Sequence, residues 1–459
     1  MTIMAAGPFL SLDRLRAEHT AGHVDDVIVA VPDVQGRLQG SRLAVSYFLD
    51  QVAERGFGAC LYLFSTDVDM STGPGYAVDA AEHGFGDFVL RPDLATLRTL
   101  PWQPGSAFVL ADAHWPSGEP VAVAPRQVLR GQLAALADHG LDAFAGTELE
   151  FLVFLEDYRS AWERDYRGLR TATRHNADYA LQGLTELEPV VRRLRREMPG
   201  AGLTLETARG ECHPGQYEIV FRYAEALTTC DHHVLFKSGA KQIAAQEGHA
   251  LTFMPKFDTG EGNSCHVHLS LRGRADGAPV LADPAAPDGM SPLMHRFIAG
   301  QLHCLADFTL LMAPNINSYK RLRPGAFAPT GIAWGRDNRT CPIRVVGTGE
   351  SLRIEHRVPG GDANPYLAVA AVVAAGLYGI ENRLPLPAPH SGNALTDPAV
   401  HGLPGTLTEA LHRWESSALA RKVFGDEVVT HYARAARAEL AAFESAVTDW
   451  ERVRGFERL

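Results

Sequence analysis

Apolar positions along the chain change period several times, and each change marks a predicted element. Residues 27–31 (VIVAV) form a continuous apolar run closed by Pro32-Asp33 and Gly36, the pattern of a buried strand and its turn. Residues 60–64 (CLYLF) repeat the pattern and predict a second strand. The stretch 67–87, with Gly73, Pro74, Gly75, Gly84 and Gly86, reads as a loop. From Pro125 the period becomes helical: Val128, Leu129, Leu133 and Leu136 share one face as far as His139, and Gly140 stops the helix. Thr185 with Glu188 has capping-box spacing ahead of Val190, Val191 and Leu194. A further helix is predicted over 224–247, ending at Gly248. Ser291-Pro292 and Asn364-Pro365 are cap-then-proline helix starts, and Asp426 can cap a long C-terminal helix. Residues 274–288, rich in Ala, Gly, Pro and Asp, read as a loop. The apolar stretch 366–378 is 13 residues long, short of a membrane span, and predicts a buried core helix.

Strands first, then long helices with strands between them, read as an α+β chain rather than a doubly wound sheet. Pro101 and Pro104 place a domain boundary, giving a small strand-rich domain over 1–105 and a large one over 106–459. Neither GxGxxG nor GxxxxGK[ST] occurs, so both standard nucleotide loops are missing. A net charge of −11 argues against nucleic acid and against an anionic membrane surface as partners. The six cysteines form no CxxC pair, which fits free thiols in a reducing cytoplasm. The N-terminus MTIMAAGPFLSLDRL lacks the basic start and apolar run of a signal peptide, so a cytoplasmic protein is expected.

The chemistry concentrates in four short segments: TELEF (147–151), ECHPGQYE (211–218), CHVHLS (265–270) and RIEHR (353–357). In three of them polar groups recur at a spacing of two: Glu148 and Glu150; His266 and His268; Arg353, Glu355 and Arg357. On a strand such residues point to one side. Carboxylates with an imidazole suit an octahedral Mg²⁺ or Mn²⁺, and interleaved arginines suit phosphate. Alone, each segment also reads as a strand showing one polar face to water. Together, with Arg321, Arg339 and Arg344 in turn-rich stretches, they fit phosphoryl transfer, in which divalent ions neutralise a polyphosphate. Five carboxylates gathered without cations would raise one another's pKa.

The chain resembles the glutamine synthetase superfamily over essentially its whole length. The resemblance rests on GTELEF (146–151), ECHPGQYE (211–218), EGNSCHVHLSL (261–271), NSYKRLRPG (317–325), DNRTCPIR (337–344) and RIEHRVPGGDANPY (353–366), in that order. It implies a small N-terminal β-grasp-type domain and a large catalytic domain with a curved antiparallel sheet and helices. It implies that Glu150, Glu211 and Glu218 hold one metal ion and Glu148, His266 and Glu355 another, with two or three Mg²⁺ or Mn²⁺ per site. Gly262, His268 and Arg321 are then expected to bind L-glutamate, with Arg357 at its γ-carboxylate. Arg339 and Arg344 are expected at the phosphates of ATP, and Tyr223 on adenine with Ser270 and Arg353 nearby. The implied reaction phosphorylates the γ-carboxylate of glutamate and lets an amine displace phosphate, with Arg321 and Arg339 in the catalytic machinery. Large homo-oligomeric rings, expected to be dodecamers, place sites between subunits, so the 67–87 loop would complete a neighbour's site.

Two departures from the family pattern bear on the amine. Ammonia-using members carry a glutamate in the flap after the RLxPG stretch, where this chain reads RLRPGAFAP (321–329) with Phe327 in its place. A phenyl ring holds no cation by charge and takes no proton, but it offers an apolar wall or a π face to an alkylammonium. The Asp-Gly-Ser-Ser loop of the ammonium pocket is also missing: the region reads STDVDMSTGPGYA (65–77), leaving Asp67 and Asp69 as the acidic candidates to deprotonate the amine. These departures point to a larger primary amine. The stretch VPDVQGRLQGSR (31–42) and the STDVDM loop look more like the γ-glutamylethanolamide type than the polyamine type. The stretch 381–389 (ENRLPLPAP) lacks the tyrosine of adenylylated relatives, so no adenylylation is expected there. The alternatives are an ammonia-dependent glutamine synthetase and a non-catalytic structural or regulatory relative.

Overall fold

Residues 7–459 are described by a computed structural model; the first six residues of the N-terminal segment read above lie outside it. The run at 27–31 lies in β1 (Val24–Pro32), whose alternate and then continuous burial follows from its apolar residues. It pairs antiparallel with β2 (Leu38–Ala44) and parallel with β6 (Gly105–His114). With β3 (Phe57–Cys60), β4 (Asp87–Pro92) and the short β5 (Arg98–Thr99), the first sheet runs β2-β1-β6-β4-β3, with β5 beside β6. The boundary expected after residue 105 therefore falls at the first residue of an inner strand: Pro101 and Pro104 belong to the turn entering β6, and the sheet runs on to His114.

The strand expected over 60–64 is shorter and earlier. Pairing with β4 stops at Cys60, and Leu61–Phe64 is a 3-10 turn burying Leu61 and Phe64, three residues apart. Thr185 does not cap the next long helix. It lies in the preceding helix Leu181–Glu186, where its hydroxyl donates to the Leu181 carbonyl, and the helix Glu188–Gly200 begins with Pro189 in its first turn. Asp426 is not the C-terminal cap either. The helix Ala418–Ser445 is capped by Ser417 and breaks at Gly425, whose φ of +83° only glycine adopts without strain; Asp426 instead accepts from Arg421. Ser291 and Asn364 cap as expected, accepting the amides of Met294 and Tyr366.

The second sheet runs β13 (Trp334–Arg336), β14 (Ile343–Val346), β15 (Arg353–His356), β12 (Cys265–Gly273), β7 (Leu141–Phe154), β9 (Gln216–Phe221), β8 (Leu205–Gly210). Two short strands, β10 (Ala224–Glu225) and β11 (Ala250–Thr252), also pair with β7. All its pairs are antiparallel except β13 with β14. One face is apolar: Leu149, Phe151, Ile219, Val267, Leu269 and Ile354 are buried in the core with the helices Ala226–Gln246 and Pro365–Glu381. Pro365–Glu381 crosses Pro292–Met312 so closely that a Cβ on Gly300 or Gly379 would collide with the opposite backbone, which leaves glycine as the residue that fits. Among the described residues no helix is long and apolar enough to cross a membrane.

Arg126, 2% exposed, joins the two sheets' surroundings. It donates to Asp231 on the helix Ala226–Gln246 through Nε (3.0 Å) and Nη2 (2.9 Å), and to Asp112 on β6 (2.8 Å) and Asp93 (2.7 Å). Burial alone would lower its pKa, yet the charge of Asp231 and the other carboxylates holds the guanidinium firmly protonated. Removing one partner of such a buried group strands the others. Arg126→Met is expected to cost about 3–5 kcal/mol in denaturant unfolding, with part of the loss recovered by adding Asp231→Asn. A loss below about 1 kcal/mol would show that the carboxylates find other partners.

Candidate active site

The polar face of the second sheet follows from its register. In antiparallel pairs, opposed residues share a face, as do residues two apart on one strand. Glu148 lies opposite His266, Glu150 opposite Glu218, and Glu218 opposite Arg209. His268 lies opposite Glu355, and Glu355 opposite Arg344. Gly146, opposite His268, leaves room on this face beneath Tyr223.

These groups line a cleft of about 590 Å³. All six expected metal ligands line it: Glu148, Glu150, Glu211, Glu218, His266 and Glu355. So do Gly262, His268, Arg321, Phe327, Arg339, Arg344, Arg353 and Arg357. Ligand atoms of Glu150, Glu211 and Glu218 lie within 4.8 Å of one another, as do those of Glu148, Glu218 and His266, and those of Glu148, His268 and Glu355. A second cavity of about 490 Å³ holds Tyr223 and Ser270 and shares Glu148, His268 and Arg353 with the first.

The carboxylates divide by environment. Burial raises Glu148, but hydrogen bonds from His266 (3.3 Å) and His268 (2.9 Å) outweigh it and hold the group below the usual carboxylate range. Burial likewise acts on Glu355, and the electrostatic influence of His266, Arg357, His268 and Arg344 beside it brings it down to about 2. Its two oxygens bond Arg344 (2.6 Å) and Arg357. Burial and the charge of Glu150 push Glu211 up to about 7. Burial, then the charge of Glu148, also pushes Glu218 well up. Arg209 Nη2 is 2.6 Å from Glu218 Oε1, but at an angle unsuited to a hydrogen bond, so this buried oxygen has no hydrogen-bond partner. The donors are thus hard oxygens and imidazole, too close to ionise together without a cation, which fits Mg²⁺ or Mn²⁺.

Several groups are fixed by their neighbours. Arg353 Nε donates to His268 Nδ1 (3.1 Å), so His268 carries its proton on Nε2 and donates it to Glu148. Gln216 Nε2 bonds Glu150 (3.1 Å), the Gly262 carbonyl (2.9 Å) and Asn263 (3.1 Å), and the Ser264 amide donates to Glu150 (2.7 Å). Arg321, 3% exposed, donates to the carbonyls of Val358 (2.9 Å) and Arg357 (3.2 Å), and so braces the chain after β15. Arg344 also binds Asp337, whereas Arg339 is exposed at the cleft edge.

Asp67 and Asp69 do not line the cleft of their own chain. Asp67 accepts the amides of Asp69 and Ser71, and its loop is tied to the β1–β2 turn by Arg37 and Gln35. Beside Cys212 and Glu261, which belong to the motifs, the cleft contains residues outside them: Arg209, Asp178 and Tyr179. Arg209 had a signal, standing two residues before Glu211, to which it donates (3.0 Å). Tyr179, at φ +56°, has its ring 5.5 Å from the Arg209 guanidinium, and Asp178 accepts from the Cys212 thiol (3.3 Å). That thiol is pushed up to about 12 by burial, by Asp178, and by the charges of Glu211 and Glu261.

The arrangement matches known proteins. A model of the glutamine synthetase catalytic domain matches residues 122–454. The γ-glutamylethanolamide synthetase GlnA4 of Streptomyces coelicolor is 57% identical over 452 residues, covering 98% of this chain and 97% of its own. A glutamate–isopropylamine ligase of a Pseudomonas species is 34% identical over 436 residues, covering 94% of this chain and 95% of its own. A solved GmaS/ADP complex superposes with a TM-score of 0.84 at 28% identity, covering 97% of this chain and 100% of its own. With the catalytic-domain match spanning the whole acidic cleft, the chain belongs to the glutamine synthetase family.

Proposed function

We propose that this glutamate–amine ligase joins the γ-carboxylate of L-glutamate to ethanolamine, with polyamines as the next class of acceptor, through γ-glutamyl phosphate and at the expense of ATP. The observation that carries the reading is the 57% identity, over nearly all of both chains, to a γ-glutamylethanolamide synthetase. The exposed ring of Phe327 in the cleft supports it, since an apolar wall favours a carbon-bearing amine over ammonium.

In this reading Glu150, Glu211 and Glu218 hold one divalent ion and Glu148, His266 and Glu355 another, out of two or three Mg²⁺ or Mn²⁺ per site. When bound, the ions neutralise the polyphosphate and the charge that develops on the transferring phosphoryl group. ATP lies with adenine against Tyr223 and Ser270 in the second cavity. Its phosphates cross the wall shared by the two cavities, past Arg353 toward Arg344 and Arg339. L-Glutamate is held at Gly262, His268 and Arg321, with its γ-carboxylate at Arg357. Two of the five N–H donors of Arg321 are bonded to the carbonyls of Arg357 and Val358, which fixes the guanidinium while others remain for the substrate. We further propose a homo-oligomeric ring, a dodecamer, in which the loop bearing Asp67 and Asp69 reaches a neighbour's cleft; that neither acid lines the cleft of its own chain supports this. A cytoplasmic location fits the free cysteines.

With ATP, Mg²⁺ and glutamate, phosphate release across ammonium, ethanolamine, putrescine, spermidine and short alkylamines is expected to be strongest with ethanolamine. Turnover with ammonium alone would overturn the amine reading, and no turnover with any of them would favour a non-catalytic relative.

The raised carboxyls give a pH prediction. Protonation of Glu211 and Glu218 is favoured in the fold, so their contribution to stability is full below the ordinary value of 4.5 and is lost as pH rises through about 7 at Glu211 and higher at Glu218. Metal-stripped protein is therefore expected to melt at lower temperature at alkaline than at mildly acidic pH. The gain in Tm on adding Mg²⁺ or Mn²⁺ should grow over the same interval. A gain independent of pH would show that Glu211 and Glu218 do not bind the ion.

A further inference from the structure

A protonated amine is no nucleophile, and Phe327 supplies no base. Resting on the ligase reading above, we propose that Glu261 is the group that receives the amine, binding its ammonium at the cleft and taking one proton from it.

Glu261 lines the cleft together with Phe327. The Phe327 amide donates to Glu261 Oε2 at 3.3 Å, so the carboxylate meets the very loop that lost its own acid. Oε1 has no hydrogen-bond partner, and no Lys, Arg or His pairs with Glu261 among the described residues. The neighbouring lysine, Lys256, is turned to the Gly260 carbonyl. The carboxylate is also well located. Gly262, the next residue, is held through its carbonyl by Gln216, which also holds Glu150, and a Cβ there would collide with the Pro255 carbonyl.

What sets Glu261 apart from the other acids is its contact with the Phe327 loop: Glu211 accepts from Arg209 and belongs to the ion cluster, Asp178 is bonded to the Cys212 thiol, and Asp67 lies outside the cleft of its own chain. Glu261 therefore offers an unpaired oxygen on the same loop contact as the phenyl ring. An amine entering there lays its carbons along Phe327 and its nitrogen at Oε1. The R–NH₃⁺ group passes one proton to the carboxylate. The nitrogen lone pair so freed attacks the carbonyl carbon of the acyl phosphate. The C–N bond forms as the C–O bond to phosphate breaks, phosphate leaves with that electron pair, and the excess proton on nitrogen passes to phosphate or water.

The test is Glu261→Gln, which keeps the shape and the bond from Phe327, assayed with two nucleophiles. One is the protonated amine that the wild-type enzyme uses best, ammonium included. The other is hydroxylamine, which is largely uncharged at neutral pH and needs no base. The proposal expects kcat/KM for the protonated amine to fall about 100-fold or more, the span general-base removal usually covers, with the loss for hydroxylamine below about 5-fold. Raising the pH should narrow the gap between the two. Equal losses with both nucleophiles, or a matching rise in KM for glutamate, would place Glu261 at the glutamate instead and overturn the proposal. Undiminished activity with both would do the same. Because the comparison uses whichever amine the wild-type enzyme accepts, failure of the ethanolamine assignment is read from the wild type and failure of the Glu261 assignment from the variant.

Discussion

Mutual repulsion of carboxylates on one sheet face is the constraint around which the rest of the structure is arranged. Two unit charges 4 Å apart near a protein surface repel by about 4 kcal/mol, and Glu148, Glu150, Glu211 and Glu218 converge within such distances. What keeps them together is the other side of the sheet. Leu149, Phe151, Val267, Leu269, Ile219 and Ile354 are buried there, and a slip of one residue in any strand would exchange the two faces. The hydrophobic alternation that builds the core therefore also sets the positions of the acids. Histidine and arginine then divide the acids into two kinds, one held ionised at Glu148 and Glu355 and one raised at Glu211 and Glu218.

The same logic of few, well-placed polar contacts ties the first sheet to the second. Arg126 joins Asp93 and Asp112 to Asp231, and Tyr366 donates to Asp231 at 2.7 Å from the first turn of the helix Pro365–Glu381. Two residues before Tyr366, the Asn364 amide donates to the carbonyls of Asp33 and Val34 at the end of β1. The turn between β1 and β2, and the 65–72 loop tied to it, are thus located relative to the helix that packs behind β15.

Most of this was legible in the sequence where period and chemistry coincide. The polar residues at spacing two in β7, β12 and β15 predicted a shared face, and all six metal-ligand candidates line one cleft. The five-residue apolar run 60–64 reads as a strand, though only Cys60 pairs with β4, because strand and 3-10 burial look alike over so short a stretch and only that pairing decides between them. Thr185 and Asp426 had the right chemistry for caps, but Pro189 and Gly425, with stronger backbone constraints, set the helix ends nearby. Asp178 and Tyr179 carried no local signal, because a loop delivers them to the cleft and their sequence neighbours show no period, whereas Glu261 opens a motif without its own role being legible there. Asp67 and Asp69 illustrate the converse. Their residue type suited the chemistry, while within one chain their loop is bound elsewhere.

The cleft is built from two kinds of backbone. The acids, imidazoles and most of the arginines stand on paired strands or close beside them, while Phe327 and Glu261 stand on unpaired loop that meets through a single amide contact. A change among the first group disturbs registers, opposing charges and the core behind them. A change among the second leaves the registers and the core alone and alters only the shape and polarity of the cleft beside that contact. Inheritance of such a scaffold is uneven by construction: phosphoryl chemistry descends nearly unaltered, and the choice of nucleophile is free to drift by single substitutions. New nitrogen acceptors can therefore arise in this lineage without passing through misfolded ancestors.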